Sequence, residues 1–288
     1  MKVLVVSATG YGCGIIPSLT REGHAVDICV NRLASELELP TTPPDFALFD
    51  SPIFKQLANH MRSMGIKVLG ESDWSSILST DVSYKTSLIE AIGYKRPAPG
   101  ETGISATIMC IFNGQRFIAR ALVFNYTKMM AGDVGIDVSS SGYVVYFSQH
   151  KIPIVDTVLE PLERFLRKAN HRGCFSVSVL ANSNGVYVTD LSADINAPYV
   201  QAIFENSRRG RSDVLLDLFN ENSHDIVFND PYVCGVMLSI APYPFSIPEL
   251  PVSIDGINSG NLKHMWIIDL INDKQQWNCK QWRYCTVS

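Results

Sequence analysis

Residues Cys174–Tyr199 read CFSVSVLANSNGVYVTDLSADINAPY, and this stretch predicts the centre of a β-rich domain. Apolar and polar residues alternate along its first part, which is typical of a strand with one buried face. Asn182–Gly185 supply turn residues, and Val186–Leu191 runs back as a second strand. The stretch therefore predicts a β-hairpin.

Beyond the second strand, oxygen-bearing side chains recur at Asp190, Ser192, Asp194 and Asn196, before Pro198 breaks the chain. Residues two apart in a strand point to the same face, so Asp190 and Asp194 are predicted to share one. Carboxylate and amide oxygens are the ligands of a hard cation such as Mg²⁺. Asp190, Asp194 and Asn196 are therefore candidate metal ligands. The alternative is a polar strand end that leads into a solvated loop.

The composition predicts a soluble protein of a reducing compartment. The chain has 288 residues, 46% of them hydrophobic and 18% charged, so it can bury a substantial core. A net charge of −4, with one basic cluster at Arg208, Arg209 and Arg211, argues against electrostatic binding to nucleic acid or membranes. The seven cysteines are odd in number and lack zinc-ligand spacing, which favours a cytoplasmic location.

A continuous apolar run at Lys2–Ala8 predicts a parallel strand that is buried on both faces. The sequence TGYGCG follows, then a helix at about Gly14–Glu22 and a strand at Ala25–Val30, the opening of a doubly wound α/β domain. The glycines of the loop, which are candidate cofactor-binding residues because their amides lie at a helix N-terminus, are Gly10, Gly12 and Gly14. Their alternative use is close packing. The spacing does not fit GxGxxG, and no acidic residue closes the second strand, which argues against a dinucleotide site.

The rest of residues 1–97 completes this first domain. Its predicted elements are strands at Asp45–Asp50 and Lys67–Gly70 and helices at Ile53–Met64, Ser72–Leu78 and Ser83–Ile92, the last closed by Gly93. A proline-rich stretch follows, and residues 98–103 are predicted to be a stiff linker.

From residue 104 to residue 288 the pattern is that of antiparallel strands with a few helices. Asn113-Gly114 is a strong hairpin signal between strands at Ile104–Phe112 and Arg116–Phe124. The other predicted elements are a strand at Tyr143–Phe147, helices at Val158–Ala169, Tyr199–Asn206 and Ser212–Asn220 (capped by Ser212), and a buried strand at Val233–Ile240. The tail carries Trp266, Trp277 and Trp282, which we expect to pack on the core.

Several segments, in their order along the chain, resemble the ATP-grasp enzymes, and among them the glycinamide ribonucleotide synthetase-like proteins (phosphoribosylamine–glycine ligase). They are PDFALFDSPIFKQLANHMRSMGIKVLGES, DVSYKTSLIEAIGYKRP, IFNG, GDVG, YVTDLSADINAP and PYPF. The match touches most of residues 1–245. It implies an α/β N-terminal domain with a parallel sheet, followed by an α+β ATP-grasp-like lobe.

Enzymes of this family clamp ATP under a lid, neutralise its phosphates with lysine, and hold Mg²⁺ with carboxylates and an Asn. The resemblance assigns catalytic roles to Lys128 and Asp133. It assigns the metal to Asp190, Asp194 and Asn196.

The chain departs from the family at several of these positions. Only Glu101–Gly103 stand where the family carries several dozen residues of lid, so the lid is predicted to be truncated. Ser105, Thr107 and Met109 replace the family's E-x-S-x-E. Asp194 replaces an arginine, which reverses the charge that should meet phosphate. These changes are hard to reconcile with intact ATP chemistry.

Two functions follow. In the first, the protein is a degenerate ATP-grasp protein without ATP-dependent ligation and without a cofactor, which acts as a small-molecule-binding or assembly module. In the second, it is a reduced C–N ligase that uses ATP and Mg²⁺, or a transferase that joins an amino acid to an amine or to a pre-activated phosphorylated substrate.

Loss of the lid predicts an uncovered surface beside the hairpin Ile104–Phe124. The residues of this hairpin are apolar on both faces of the predicted sheet. We expect a homodimer or a partner protein to bury this hairpin. The alternative is that the C-terminal segment, with its tryptophans, folds back over the same surface.

Overall fold

The structure is a computed structural model. It describes residues 1–8, 10–31, 39–70, 72–147, 152–193, 195, 199–241, 243–245, 252–258, 260–267, 270–273, 276–279 and 283–287.

The N-terminal part forms a four-stranded parallel sheet in the order β2–β1–β3–β4. Its strands are β1 (Lys2–Ser7), β2 (Ala25–Val30), β3 (Phe46–Phe49) and β4 (Lys67–Leu69). β1 is buried on both faces, as its apolar run predicts. Leu4 and Val6 pack on one side with Ala58 and Met61, and Val3 faces the other side, towards the second sheet.

The helices of this part lie close to their predicted positions. They are α1 (Ile16–Arg21), α2 (Lys55–Ser63), α3 (Asp73–Thr80) and α4 (Val82–Ile92). Ser72 caps α3 by accepting a hydrogen bond from the amide of Ser75, and Gly93 ends α4 with a φ of 93°. The helix predicted at Gly14 begins differently: residues Tyr11–Ile15 form a 3₁₀ turn, and α1 follows.

The second part is built on an eight-stranded sheet in the order β12–β15–β10–β7–β6–β5–β8–β9. Its strands are β5 (Ile104–Phe112), β6 (Phe117–Met130), β7 (Val134–Tyr146), β8 (Gly173–Asn182), β9 (Gly185–Ser192), β10 (Tyr232–Ser239), β12 (Met265–Ile267) and β15 (Arg283–Val287). The hairpins at Asn113-Gly114 and at Asn182–Gly185 are confirmed. β6 and β7 extend well beyond the predicted strands and form a long hairpin.

Helices cover the two faces of this sheet unequally. They are α5 (Pro153–Lys168), α6 (Val200–Asn206) and α7 (Arg211–Asp217). α5 packs Leu159, Leu162 and Leu166 on one face, as predicted. The other face packs on α6, α7 and the N-terminal sheet, so the two sheets share a core in which Val3 and Val5 lie with Met109 and Ile111.

The predicted cap of α7 is wrong. Ser212 lies inside the first turn, and the residue at the N-cap is Gly210, which has no side chain to offer. Glu22 takes that role, because its Oε1 accepts from the amide of Arg211 at 2.7 Å and its Oε2 accepts from that of Ser212 at 2.8 Å.

The predicted apolar surface on the hairpin Ile104–Phe124 is also wrong. β5 lies between β6 and β8, so Ile108 and Cys110 are buried under α5, while Met109, Ile111 and Val123 are buried in the shared core. Most of this hairpin is therefore unavailable to a partner. The expected homodimer or partner protein stays a prediction; of this hairpin, Ile104 and Phe124 at its ends remain exposed.

The prediction that Val233–Ile240 is a buried strand is wrong for one of its faces. β10 buries Gly235 and Met237 and leaves Tyr232, Cys234 and Val236 exposed. On the exposed side α5 packs on β5 and β8, which lie three and four strands away from β10.

The C-terminal segment adds β12, β15 and a small sheet of β11 (Val252–Ile254), β13 (Leu270–Asp273) and β14 (Gln276–Cys279). Trp266 packs on the core as predicted, with its ring stacked 6.3 Å from that of Phe204. Trp282 and the side chain of Trp277 lie outside the described residues. No helix within the described part of the chain is long and apolar enough to cross a bilayer.

Candidate functional site

A row of hydroxyl groups lies on the face of β5, β8 and β9 that faces the N-terminal sheet and α6. Thr107 pairs with Ser178, and Ser178 pairs with Asp190, so these three side chains share a face. Ser105 and Ser176 lie on the same face, two residues away along their strands. We call Ser105, Thr107, Ser176 and Ser178 the hydroxyl shelf. Within the described chain these four hydroxyl groups have no hydrogen-bond partner, so each keeps its donor and its acceptors for water or a ligand.

Asp190, the first candidate metal ligand, lies at the end of this row. Its Oδ1 accepts a hydrogen bond from Nζ of Lys85 on α4 at 2.6 Å, and the side chains of Asp190 and Lys85 are 49% and 20% exposed. The carboxylate thus already has a cationic partner. Asp194 and Asn196 lie outside the described residues. Among the residues that the structure describes, no three His, Cys, Asp or Glu side chains lie close enough together to hold a metal ion.

Lys128 and Asp133, the predicted catalytic pair, lie at the far end of the β6–β7 hairpin. Nζ of Lys128 donates to Oδ2 of Asp137 at 2.9 Å, and this contact lowers the pKa of Asp137. Asp133 lies in the turn with a φ of 58°, and its amide donates to the hydroxyl of Tyr126 at 2.8 Å. Both residues therefore make contacts within the hairpin.

The structure does not bring Lys128 close to Asp190. Asp190 is in register with Val123 of β6 through Ser178 and Thr107, and β6 lies three strands from β9. Three strand spacings amount to about 14 Å, and the five residues from Val123 to Lys128 add about 17 Å along the strand. The two Cα atoms are therefore about 20 Å apart, which is too far for one phosphate group to contact both side chains.

The glycine-rich loop makes its contacts inside the protein. The amide of Gly12 donates to Oδ2 of Asp50 at 2.7 Å, and the amide of Ala8 donates to Oδ1 at 3.0 Å. The amide of Gly10 donates to Oγ of Ser7 at 2.7 Å, and the Ser7 hydroxyl donates in turn to Asp50. Amides that could face a bound anion thus face a carboxylate of the chain itself.

Burial and charge shift the pKa of two groups beside this loop. Desolvation raises the pKa of Asp50, although hydrogen bonds from Ser7, Gly12 and Ala8 oppose the shift. Burial and the nearby Asp50 raise the pKa of the Cys13 thiol to about 12, so this cysteine is not an activated nucleophile at neutral pH.

Gly14 contacts the C-terminal segment. A Cβ atom at this position would lie 2.1 Å from Cδ1 of Trp266, so only glycine lets the indole ring approach the backbone. This contact agrees with close packing, the alternative use of the loop. Cofactor binding by Gly10, Gly12 and Gly14 stays a prediction.

A cleft separates the carboxyl ends of β3 and β4 from the beginning of β8. Beside Asp50, Gly70 and Ile195 its volume is about 10 Å³, room for about one water molecule. A second cavity of about 340 Å³, which shares His171 and Arg172 with the first, lies beside Lys67 of β4; Nη2 of Arg172 pairs with Glu221 at 2.6 Å.

His171 lies at the narrow part of this cleft and is buried in neutral form. Its Nε2 donates to the carbonyl oxygen of Cys174 at 3.1 Å, and its ring packs 5.7 Å from those of Trp74 and Phe175. Burial lowers its pKa from 6.5 to about 4. Because Nε2 is the donor to a carbonyl and the ring is desolvated, this histidine acts as a structural bridge and not as a proton shuttle at neutral pH.

We expect the protein to lose stability below pH 6.5 because of His171. The unfolded chain takes up a proton near pH 6.5, whereas the folded state resists it until about pH 4, so the free energy of unfolding falls as the pH decreases between these values. Between pH 7.5 and pH 5 a pKa shift of this size lowers the free energy of unfolding by about 2 kcal/mol. Urea unfolding at the two pH values measures it.

His171→Gln keeps an N–H donor for Cys174 but cannot titrate. Over the same pH interval the free energy of unfolding of this variant should therefore fall by about 2 kcal/mol less than that of the parent protein. The exposed His60 supplies the control, since His60→Gln should lose as much as the parent protein. Equal losses in the parent protein and in His171→Gln would contradict this account.

Three residues of the site were missed in the sequence. Lys85 lies within the segment that resembles the family, but its partner Asp190 is 105 residues away. Asp50 was predicted only as the end of a strand, and no role was predicted for His171. A charged residue directly after a buried strand is the one signal that pointed to Asp50, because carboxyl ends of parallel strands meet at one edge.

The structure is similar to solved structures of three enzymes. Phosphoribosylamine–glycine ligase from Thermotoga maritima matches with a TM-score of 0.72 and 12% identity, over 100% of this chain and 92% of that chain. N5-carboxyaminoimidazole ribonucleotide synthetase from the same organism matches with a TM-score of 0.57 and 10% identity, over 99% and 93%. D-alanine–D-alanine ligase from Bacillus anthracis, solved with ATP, matches with a TM-score of 0.52 and 11% identity, over 76% and 95%.

No protein-family model matches the sequence, and no curated protein matches it. The likeness is therefore one of structure. A parallel-sheet N-terminal domain precedes an antiparallel-sheet lobe in this chain, in the arrangement that the resemblance implies. The chain has the ATP-grasp fold.

Proposed function

We propose that this protein is a binding module with the ATP-grasp fold, which holds a small polar molecule on the hydroxyl shelf and does not carry out ATP-dependent ligation. The observation that carries the proposal is the separation of about 20 Å between Lys128 and Asp190. Phosphoryl transfer requires cations and metal-binding acids around the same phosphate groups. Side chains that far apart cannot contact the same phosphate group.

The ion pair between Lys85 and Asp190 supports the same proposal. Magnesium would have to displace the ammonium group from a carboxylate that it contacts at 2.6 Å. The ammonium group of Lys85 is likewise held by Asp190 and not by a phosphate group. The donors and acceptors that remain are neutral hydroxyl groups, which suit a neutral or zwitterionic ligand.

The connection between α4 and β5 supports it as well. Residues 93–103 join the two elements without a helix or strand between them. The amide of Val188 in β9 donates to the carbonyl of Lys95 at 2.8 Å, so this connection lies along the edge strand. A bound nucleotide needs most of its surface buried. Residues 93–103 are too short, and too closely held to the sheet edge, to cover a nucleotide.

We expect no saturable binding of Mg-ATP. Isothermal titration calorimetry with ligand up to millimolar concentration should show only heats of dilution, because the phosphate-binding groups of the family are dispersed in this chain. A dissociation constant in the low micromolar range would overturn the proposal and favour the reduced ligase. Asp190→Asn would then show whether the nucleotide binds at the end of the hydroxyl shelf.

The binding half of the proposal has its own experiment, a thermal-shift screen with neutral polyols and free amino acids. A ligand that binds the native state raises the melting temperature by mass action. Thr107→Val removes one shelf hydroxyl at nearly constant volume, so it should weaken such a ligand about tenfold. Val82→Thr, an exposed change of the same size on α4, is the control. If no compound shifts the parent protein, the shelf is not a binding site.

A further inference from the structure

The cavity beside β4 carries charge that the proposed function does not use. It has a volume of about 340 Å³ and lies between β4, an edge strand of the N-terminal sheet, and the segment that joins α5 to β8. Three cationic side chains line it: Arg62 of α2, Lys67 of β4 and Arg172 before β8. We call it the basic cavity. None of the four residues of the hydroxyl shelf lines it, so the two places are separate.

Arg62 is oriented by the protein itself. Its Nη1 donates to Oδ1 of Asn59 at 2.8 Å, and its Nη2 donates to the carbonyl oxygen of Gly70 at 2.8 Å. Asn59 lies on α2 and Gly70 directly follows β4, so the two bonds fix the guanidinium group between the helix and the end of the strand. A donor that is already ordered loses little conformational entropy when it binds an anion.

The other two cations differ in how firmly they are held. Nη1 of Arg172 donates to the carbonyl oxygens of Asn113 and Leu218, and its Nη2 pairs with Glu221 at 2.6 Å. Lys67 is exposed, and within the described chain its ammonium group has no hydrogen-bond or ion-pair partner. The basic cavity thus combines two fixed guanidinium groups with one adaptable ammonium group.

Positive charge predominates in the basic cavity. No carboxylate is found among the described residues that line it. Glu221 pairs with Arg172, and Glu71 lies outside the described residues. Even if both carboxylates count against the three cations, one positive charge remains. Burial is the main cause of the lowered pKa of His171, which also lines the cavity, and the positive charge of Arg62 contributes to it.

Three cations on three different elements match a phosphate group better than a carboxylate. A phosphate monoester carries a charge of about −1.5 to −2 at pH 7 and presents three strong acceptor oxygens. A carboxylate has a single charge and two oxygens. Guanidinium groups suit phosphate oxygens geometrically, and lysine adds a point charge. We propose that the basic cavity binds a phosphate dianion through Arg62, Lys67 and Arg172.

The rest of the lining leaves room for an organic group on the phosphate. Ile66, Val68 and Phe219 supply an apolar wall. The volume of about 340 Å³ lies at the lower end of the range for small-molecule sites. Two sources therefore fit the cavity, free phosphate and a small phosphate monoester, and both use the same three cations.

Isothermal titration calorimetry of the intact chain with inorganic phosphate, at constant ionic strength, tests the proposal. The parent protein should bind phosphate with a dissociation constant of about 1 mM or below, and acetate at least about tenfold more weakly. Phenyl phosphate distinguishes the two sources. Tighter binding than that of inorganic phosphate would indicate a monoester whose organic group packs on the apolar wall, and equal binding would indicate free phosphate.

Lys67→Gln should raise the dissociation constant for phosphate about tenfold, because it removes one charge-assisted contact. The side chain of Lys67 is exposed and has no partner in the described chain, so the variant should fold. Lys67→Arg keeps the charge and should keep the affinity. Lys95→Gln is the matched control, since Lys95 is also exposed but does not line the cavity, and it should bind phosphate as the parent protein does.

The absence of saturable heat with inorganic phosphate and with phenyl phosphate, each up to about 20 mM, would overturn the proposal. Equal affinities in Lys67→Gln and Lys95→Gln would overturn it as well, because phosphate would then bind elsewhere on the chain. Acetate that binds as tightly as phosphate would show a general attraction of anions and no phosphate site.

Discussion

Replacing Asp50 with alanine is expected to lower the free energy of unfolding by about 3–5 kcal/mol. The carboxylate is 2% exposed and accepts from the hydroxyl of Ser7 and from the amides of Ala8 and Gly12. Alanine removes the acceptor and leaves these donors buried, where each lost bond costs more than the bond itself contributes. Urea unfolding at pH 7.5 measures the change.

Asp45→Ala is the matched control for Asp50. Asp45 also accepts a backbone hydrogen bond, from the amide of Lys2 at 2.7 Å, but it is exposed. Water can replace the Asp45 carboxylate as the acceptor, so Asp45→Ala should lower the free energy of unfolding by about 1 kcal/mol or less. Asp50→Asn keeps one acceptor oxygen and should fall between the two alanine variants. If Asp45→Ala and Asp50→Ala cost the same, the carboxylate does not hold the glycine-rich loop together.

Gly14→Ala is expected to lower the free energy of unfolding by about 3 kcal/mol, which is at the upper end of the range for overpacking substitutions. The added methyl group would lie 2.1 Å from the ring of Trp266, which is itself stacked on Phe204 and cannot retreat freely. Thermal and urea unfolding should both show the loss.

A double-mutant cycle isolates that clash. In the Trp266→Ala background the ring is absent, so Gly14→Ala should cost less than about 1 kcal/mol, and the coupling between the two positions should be about 2 kcal/mol or more. Additive effects would mean that alanine disturbs the loop itself and not its contact with the C-terminal segment.

The sequence predicted most elements that depend on neighbouring residues. Three local signals have the predicted structure: the apolar run of β1, the turn at Asn113-Gly114 and the end of α4 at Gly93. The length of the β6–β7 hairpin was missed, because Asn125 to Lys128 are polar and their strand is held by cross-strand pairs at its distal end. Pairing of that kind depends on the partner strand and leaves no period in the sequence.

The candidate site was less predictable because its contacts are long-range. Lys85 meets Asp190 only after β9 is placed at the edge beside α4. The same is true of Asp50 and Gly12, which lie 38 residues apart in sequence. A resemblance transferred residue by residue identified Asp190 and Lys128 but gave no distance between them. The strand order supplied that distance, and the distance favours the first of the two functions that the sequence suggested.

The core that Val3 and Val5 share with Met109 and Ile111 has a consequence for how the chain folds. During synthesis the N-terminal sheet can bury one side on α2 and part of the other on Ile15 and Leu19, but the rest of that second side has no cover until β5 has been made, about 100 residues later. Trp266 reaches Gly14 only after about 250 further residues. The first domain is therefore the last to become fully packed, although it is synthesised first. Until then its uncovered apolar side exposes it to aggregation, which chaperone binding or rapid folding would limit.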